Sequence, residues 1–258
     1  MHIRRDDLAS DKTVIVTGGS SGIGEATARR FAAAGWFVVI GDINDERGRT
    51  IAAELGGSFR RLDVSSEPEV TAFAAAVQAE LGQIDAVVNS AGILQNAVRF
   101  TEMDMAEFDR IHAINVRGTL LVNRSFAPRM SAAGRGVIIN MASLTTYRPS
   151  GQPAYAMGKT SIRMLTELMA AELGPSGVRV NAVAPGYVLT PAMQARIDSG
   201  QRDPKLIVEK AALRRFVAPA DVAEAIFFLC SDAASAITGV TLPIDCGWLV
   251  TSAYTSYA

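Results

Sequence analysis

Histidine and cysteine, the side chains that most often hold transition metals, are nearly missing: 258 residues contain two of each. His2 and His112 are too far apart for a zinc site without carboxylate help. Cys230 and Cys246 make neither a disulfide framework nor a metal cluster, so no metal is expected. Long hydrophobic runs are missing as well. Nothing approaches the roughly 18 apolar residues of a membrane span, and Met1 to Asp7 lack the apolar centre of a signal peptide, which makes the cytoplasm the expected location. Charge is balanced too, with 25 Lys and Arg against 26 Asp and Glu. A net charge of -1 gives no electrostatic reason to expect nucleic acid or an anionic membrane as partner. What remains is 49% hydrophobic and 20% charged residues, the composition of a soluble globular chain. Its length is enough to bury a substantial core as one α/β domain or two small ones.

In chain order, short β-branched runs alternate with helical stretches, the pattern of a parallel sheet covered on both faces. Thr13-Val14-Ile15-Val16-Thr17 reads as a buried first strand. It runs straight into Gly18-Gly19-Ser20-Ser21-Gly22-Ile23-Gly24, after which Glu25 to Ala34 is helical in composition and stops at Gly35. A glycine-rich turn between a buried strand and a helix lets backbone N–H groups approach a pyrophosphate whose charge the helix dipole favours. Dinucleotide binding is the expectation for this turn. The second strand, Phe37 to Gly41, ends at Asp42, 24 positions beyond Gly18. An acidic residue at about that distance accepts hydrogen bonds from the adenosine ribose and repels a 2′-phosphate. Ile43 follows, and no Arg or Lys lies among Gly18 to Gly24, so the expected cofactor is NAD rather than NADP. The plainer reading has Asp42 starting the turn to Asp45 and capping the next helix.

A helix from Asp45 to Leu55, a strand from Phe59 to Leu62, a helix from Glu67 to Leu81 and a strand from Ala86 to Val88 continue the alternation. Asp63 is placed to hydrogen-bond an adenine amino group and Val64 to pack on its ring, although Asp63 also suits a simple turn. The small residues Asn89-Ser90-Ala91-Gly92 allow close approach to a ribose. Downstream, the apolar spacing after Tyr155 favours a helix, which sets Tyr155 and Lys159 one turn apart on one face. A phenol that handles protons at neutral pH needs its pKa lowered from ~10. A cation at roughly 4 Å, at an effective dielectric of ~20, supplies about 4 kcal/mol, enough for roughly 3 pH units.

Taken together, these motifs resemble the short-chain dehydrogenase/reductase family from about Thr13 to Gly247. The matching residues are the TGxxxGxG turn (Thr17, Gly18, Gly22, Gly24), Asn89-Ser90-Ala91-Gly92, Asn115, Ser143 after the strand Val137 to Met141, the YxxxK pair Tyr155 and Lys159, and Pro185-Gly186 after the strand Val178 to Ala184. Ser90, Gly158 and Cys246 depart from the usual pattern without removing a catalytic group. The resemblance implies a doubly wound, Rossmann-like α/β fold of one domain with helices on both faces. It implies that Tyr155 transfers a proton to or from a secondary alcohol or ketone while hydride moves to or from a nicotinamide. Lys159 would hold the nicotinamide ribose, Ser143 the substrate oxygen, and Asn115 a water leading protons to solvent. The amide near Val188 would meet the carboxamide, with Thr190 beside it. Assembly as a homotetramer is also implied.

Residues 187–218 carry no strand signal and are long enough to form a lid, with helices expected over Ala192 to Asp198 and Lys205 to Ala212. The lid is basic (Arg196, Arg202, Lys205, Lys210, Arg214, Arg215), which is either a solvated surface or an attraction for an anionic substrate. The tail 248–258, with Trp248, Tyr254 and Tyr257, is expected to dock on a neighbouring subunit. Leu94, Gln95, Thr145, Gln152, Tyr187 and Met193 are the positions expected around the reacting carbon. Their amides and hydroxyls favour a sugar, polyol or hydroxy acid. The alternatives are a 3-oxoacyl thioester reductase and a cofactor-sensing protein without turnover.

Overall fold

Seven short strands, all paired in parallel, carry the fold, which is a computed structural model describing residues 12–254. Along the chain they alternate with helices: β1 (Thr13–Thr17), α1 (Gly22–Ala33), β2 (Phe37–Asp42), α2 (Asp45–Glu54), β3 (Ser58–Arg61), α3 (Glu67–Leu81) and β4 (Ala86–Asn89). Then come α4 (Met105–His112), a π-helical stretch (Ala113–Gly118), α5 (Thr119–Ala132), β5 (Gly136–Met141), α6 (Pro153–Leu173) and β6 (Val178–Pro185). The chain closes with α7 (Pro191–Asp198), α8 (Pro204–Lys210), α9 (Pro219–Cys230), β7 (Thr241–Ile244) and α10 (Trp248–Thr251). Strand order is β3-β2-β1-β4-β5-β6-β7. This is the doubly wound, Rossmann-like arrangement, and its order reverses direction between β1 and β4, where such sheets open a crevice for ligands.

Alternation along the strands sends residues to two cores. Val14, Val16, Val38 and Ile40 pack with Phe31 of α1 and with Val222 and Ile226 of α9. Ile15, Val39 and Val87 face Phe73 of α3 and Val122 and Phe126 of α5. Both faces of the sheet are therefore covered, which is why its strands read as continuous apolar runs. Thr17 pairs with Gly41 on one side and Asn89 on the other, so β1, β2 and β4 end level and their following loops share one edge.

Several details differ from expectation. The first helix begins at Gly22 rather than Glu25, because Ile23 and Gly24 already belong to its opening turn. β3 stops at Arg61, one residue short of Leu62. The segment read as strandless contains one parallel bridge, Val188 to Val217, which ties the two ends of the lid together. No helix among the described residues is long and apolar enough to cross a membrane.

Candidate active site

The glycine-rich turn is shaped by contacts that exclude side chains. A Cβ on Gly18 would lie 2.7 Å from the Ala91 backbone, and one on Gly24 only 2.0 Å from the Gly18 carbonyl oxygen. Gly18 and Gly22 also take φ of +67° and +53°, a region that side chains disfavour. Ser21 caps α1 without any side-chain hydrogen bond, so the first N–H groups of a twelve-residue helix are not taken up by a cap and suit a phosphate. Ile23 packs on the core beneath them. Asp42 terminates β2 nearly buried, and its carboxylate accepts the N–H of Ser20 at 3.0 Å and of Asn44 at 3.0 Å. It binds the glycine turn to the end of β2. Capping of α2 falls to Asn44, which accepts the Arg47 N–H, so the plainer capping role considered for Asp42 is not the one it takes. Ile43 beside it is 64% exposed.

Several other expected nucleotide contacts face elsewhere. Asp63 closes its own turn, accepting both N–H and O–H of Ser65 at 2.9 and 2.6 Å. Val64 is buried in the core against Gly118, where a Cβ would meet it at 2.8 Å. Asn89 also turns inward: its amide donates to Asn123 at 2.6 Å and Asn140 at 3.0 Å, in a buried network that reaches Thr166. Ala91 donates its N–H to Thr17 Oγ1 at 3.3 Å and stays at the crevice.

Gly92 lies between two functional side chains: a Cβ there would be 3.1 Å from Asn115 Oδ1 and 4.0 Å from Lys159 Nζ. Asn115 stands in the π-helical stretch, and its side chain is closed on Ile93, accepting the N–H at 2.8 Å and donating to the carbonyl at 2.9 Å. The Asn115 side chain thus clamps the loop after β4.

Tyr155 stands in the first turn of α6, whose N-cap residue Gln152 makes no capping bond. The Tyr155 N–H is instead accepted by Gln95 Oε1 at 3.2 Å, and Gln152 Nε2 donates to the Gln95 carbonyl. Gln95, expected against the substrate, is fully buried behind the site and supports the tyrosine's backbone. Lys159 is 5% exposed. Its Nζ donates to the Met141 carbonyl at 2.6 Å and lies 5.5 Å from the centre of the Tyr155 ring. Burial pushes the Lys159 amine down to about 8. Burial also pushes the Tyr155 phenol above its ordinary value, against a smaller downward pull from the Ser143 hydroxyl and from Arg196. Without a cofactor, desolvation therefore outweighs the Ser143 hydroxyl and Arg196, and the expected lowering by Lys159 joins the charge of an oxidised nicotinamide.

A cavity of about 130 Å³ opens on Ser143 and Tyr155. Of the expected substrate positions, Leu94, Thr145, Gln152, Tyr187 and Met193 line it, as do Pro185 and Gly186. Thr190 caps α7 through the Met193 N–H, and its Cγ2 would be 3.3 Å from a Cβ on Gly22, so the lid root touches the glycine turn. Val188 is buried at the bridge closing the lid. Arg148, Arg196, Arg202 and Trp248 also line the cavity and were not placed there from the sequence. Trp248, at the start of the tail expected to dock on a neighbouring subunit, packs on Tyr187 with ring centres 5.6 Å apart. Tyr257 lies outside the described residues. No cluster able to hold a metal occurs among the described residues.

A ligand crevice at the switch point of a doubly wound sheet, next to a cavity lined by a tyrosine and a serine with a lysine buried near the tyrosine, defines an oxidoreductase of the Rossmann class. The chain belongs to the short-chain dehydrogenase/reductase family. Residues 18–249 match the family profile described as "Enoyl-(Acyl carrier protein) reductase". It is 36% identical over 244 residues to cis-4-hydroxycyclohexanecarboxylate dehydrogenase of Sinomonas cyclohexanicum, covering 93% of this chain and 97% of that one. It is 38% identical over 245 residues to D-threitol dehydrogenase of Mycolicibacterium smegmatis, covering 93% of each. Among solved structures, "ElxO with NADP Bound" superposes with a TM-score of 0.89 at 30% identity, covering 93% of this chain and 100% of that one.

Proposed function

We propose that this chain interconverts a small polar secondary alcohol and its ketone, using NAD(H) as the hydride partner. The observation that carries the reading is the shared cavity of Tyr155 and Ser143, with Lys159 buried behind them. The relatives named for a cyclic hydroxy acid and a polyol support the substrate class.

A nicotinamide cofactor would supply or accept hydride at this cavity. The open N-terminus of α1 with Gly18, Ser20, Ser21, Gly22, Ile23 and Gly24 suits its phosphates, and Asp42 and Ile43 suit its adenosine. Ala91, Gly92, Lys159, Pro185, Gly186, Val188 and Thr190 stand where its nicotinamide half would bind. Asp42 supports NAD because its charge opposes a 2′-phosphate. The cation bonded to the glycine turn is already engaged, since Arg47 donates to Glu25 at 2.6 Å and to the Ser20 carbonyl at 2.9 Å.

The proton chemistry belongs to Tyr155. Its raised phenol is protonated at neutral pH and donates to the oxygen of a ketone, while the Ser143 hydroxyl holds that oxygen in place. In the oxidising direction the phenolate must form, which the positive charge of Lys159 favours only when other cationic charge joins it. Assembly as a homotetramer belongs to the same reading. Met157, Met164 and Leu168 leave one face of α6 exposed at 50, 55 and 61%, and Leu120 of α5 is exposed at 44%.

A screen of alcohols, polyols and hydroxy acids with NAD and NADP, followed by absorbance of the reduced cofactor, tests the proposal. Turnover with NAD at a lower KM than with NADP is expected. A lower KM for NADP would overturn the cofactor assignment, and no turnover with any substrate would overturn the reaction.

A further inference from the structure

Three arginines converge on the cavity that holds Tyr155 and Ser143, and no aspartate or glutamate lines it. Elsewhere the chain treats arginine differently. Nine others, among them Arg30, Arg47 and Arg61, hold a carboxylate oxygen at 2.8 Å or closer. Arg148, Arg196 and Arg202 pair with no carboxylate among the described residues. Arg196 donates only to Asn96 Oδ1 at 3.1 Å, and Arg202 to the neighbouring Gln201 carbonyl at 3.3 Å.

Two of these cations are held side by side. Arg196 lies near the end of α7, and the turn after it is closed by the Arg202 N–H donating to the Arg196 carbonyl at 3.1 Å. Gly200 takes φ +74° within that turn. Burial, and next the like charge of Arg202, hold the Arg196 guanidinium below the usual arginine range. Such a pair is unfavourable unless an anion joins it. The charge of Arg196 also acts on the Tyr155 phenol, so this cationic wall lies within the length of a small molecule from the reacting group. The remaining basic residues of the lid do not contribute. Arg215 is paired with Asp221 at 2.5 Å, Arg214 donates to the Glu209 carbonyl, and neither they nor Lys205 and Lys210 line the cavity.

We infer that the substrate is a hydroxy acid, or the corresponding keto acid, whose carboxylate is received by Arg196 and Arg202 while its alcohol carbon faces Tyr155. The inference rests on the dehydrogenase reading above and narrows its substrate class. A guanidinium fork offers a carboxylate two parallel hydrogen bonds, and the charge of the partner is what the unpaired lid arginines lack. Arg148 lines the same cavity as a third positive group.

Matched substrates test this. Short-chain and cyclic hydroxy acids, their methyl esters and phosphorylated alcohols are assayed with wild-type enzyme, Arg202→Gln, Arg196→Gln and the off-cavity control Lys205→Gln. Arg202→Gln is the cleaner variant because Arg202 does not act on the Tyr155 phenol. Wild-type kcat/KM is expected to be at least about tenfold higher for an acid than for its ester. In Arg202→Gln that ratio should fall by about tenfold or more, mainly through KM for the acid, and in Lys205→Gln it should stay. Equal turnover of acid and ester by wild type, or an equal loss on both in Arg202→Gln, would overturn the inference while leaving the dehydrogenase reading intact. Preference for a phosphorylated alcohol would overturn the carboxylate assignment. No turnover of acids, esters or neutral alcohols would remove the dehydrogenase reading itself.

Discussion

Lys159 reaches past Tyr155 to the end of β5, where its Nζ donates to the Met141 carbonyl at 2.6 Å while standing 5.5 Å from the centre of the tyrosine ring. The ammonium is thus fixed by backbone and surrounded by protein before any ligand arrives. Its position is set by the fold, and burying it has a thermodynamic consequence.

Burial lowers the Lys159 amine from 10.5 to about 8. Between those two values the unfolded chain binds more protons than the folded one, so stability rises with pH through that window. Lys159→Met removes the titration. The stability of wild type relative to Lys159→Met should therefore improve by up to about 3 kcal/mol as pH rises from 8 to 10.5. Denaturant midpoints at a series of pH values measure it, and parallel curves for the two proteins would contradict it.

Tyr155 moves in the opposite direction. Burial raises its phenol above 10.0, so in the cofactor-free protein it should remain protonated through about pH 10. The tyrosinate absorbance difference between wild type and Tyr155→Phe reads this directly. Ionisation of Tyr155 below about pH 9 would show that the cations of the site prevail over desolvation even without ligand.

Gln95 supports the catalytic helix from behind through the Tyr155 N–H. Gln95→Met removes the acceptor and leaves that N–H unpaired at a helix start, which costs about 1–2 kcal/mol. Turnover should fall while cofactor affinity holds, because only the position of the phenol changes. A rise in KM for substrate with kcat unchanged would instead place Gln95 against the ligand.

Asn89 serves the core rather than the crevice. Asn89→Ala leaves the Asn123 side-chain oxygen without its buried donor and should destabilise the chain by about 1–3 kcal/mol, with little change in cofactor Kd. Asp42→Ala should do the reverse in kind, raising KM for NAD and narrowing the gap to NADP. Calorimetric titration with each cofactor separates the two cases, and loss of cofactor affinity in Asn89→Ala would restore its expected role.

The parts of the site visible in the sequence are those whose meaning is local. A buried strand running into Gly18–Gly24, an acid at the end of the next strand, and Tyr155 and Lys159 one helical turn apart each need only a few residues of context. What was misplaced depends on packing across elements. Asn89 and Val64 follow strands as expected, but which way they turn is decided by Asn123 on α5 and by Gly118 at its start. Gln95 lies in an irregular loop, and its partner is an amide on a helix 60 residues away. The lid arginines were visible as a basic segment, yet only the turn joining Arg196 to Arg202 selects those two for the cavity and turns Arg215 to Asp221. Likewise, the Tyr155 and Lys159 spacing was legible, whereas the cost of burying both was not, because burial is a property of the whole fold.

The account stands on Tyr155 as the proton carrier, and Tyr155→Phe is its most direct test, with turnover and NAD binding measured on the same preparation. The ring and the Gln95 bond to its backbone persist in this variant, so NAD should bind as in wild type while kcat falls by about 10²-fold or more. Turnover within a few-fold of wild type would contradict the account.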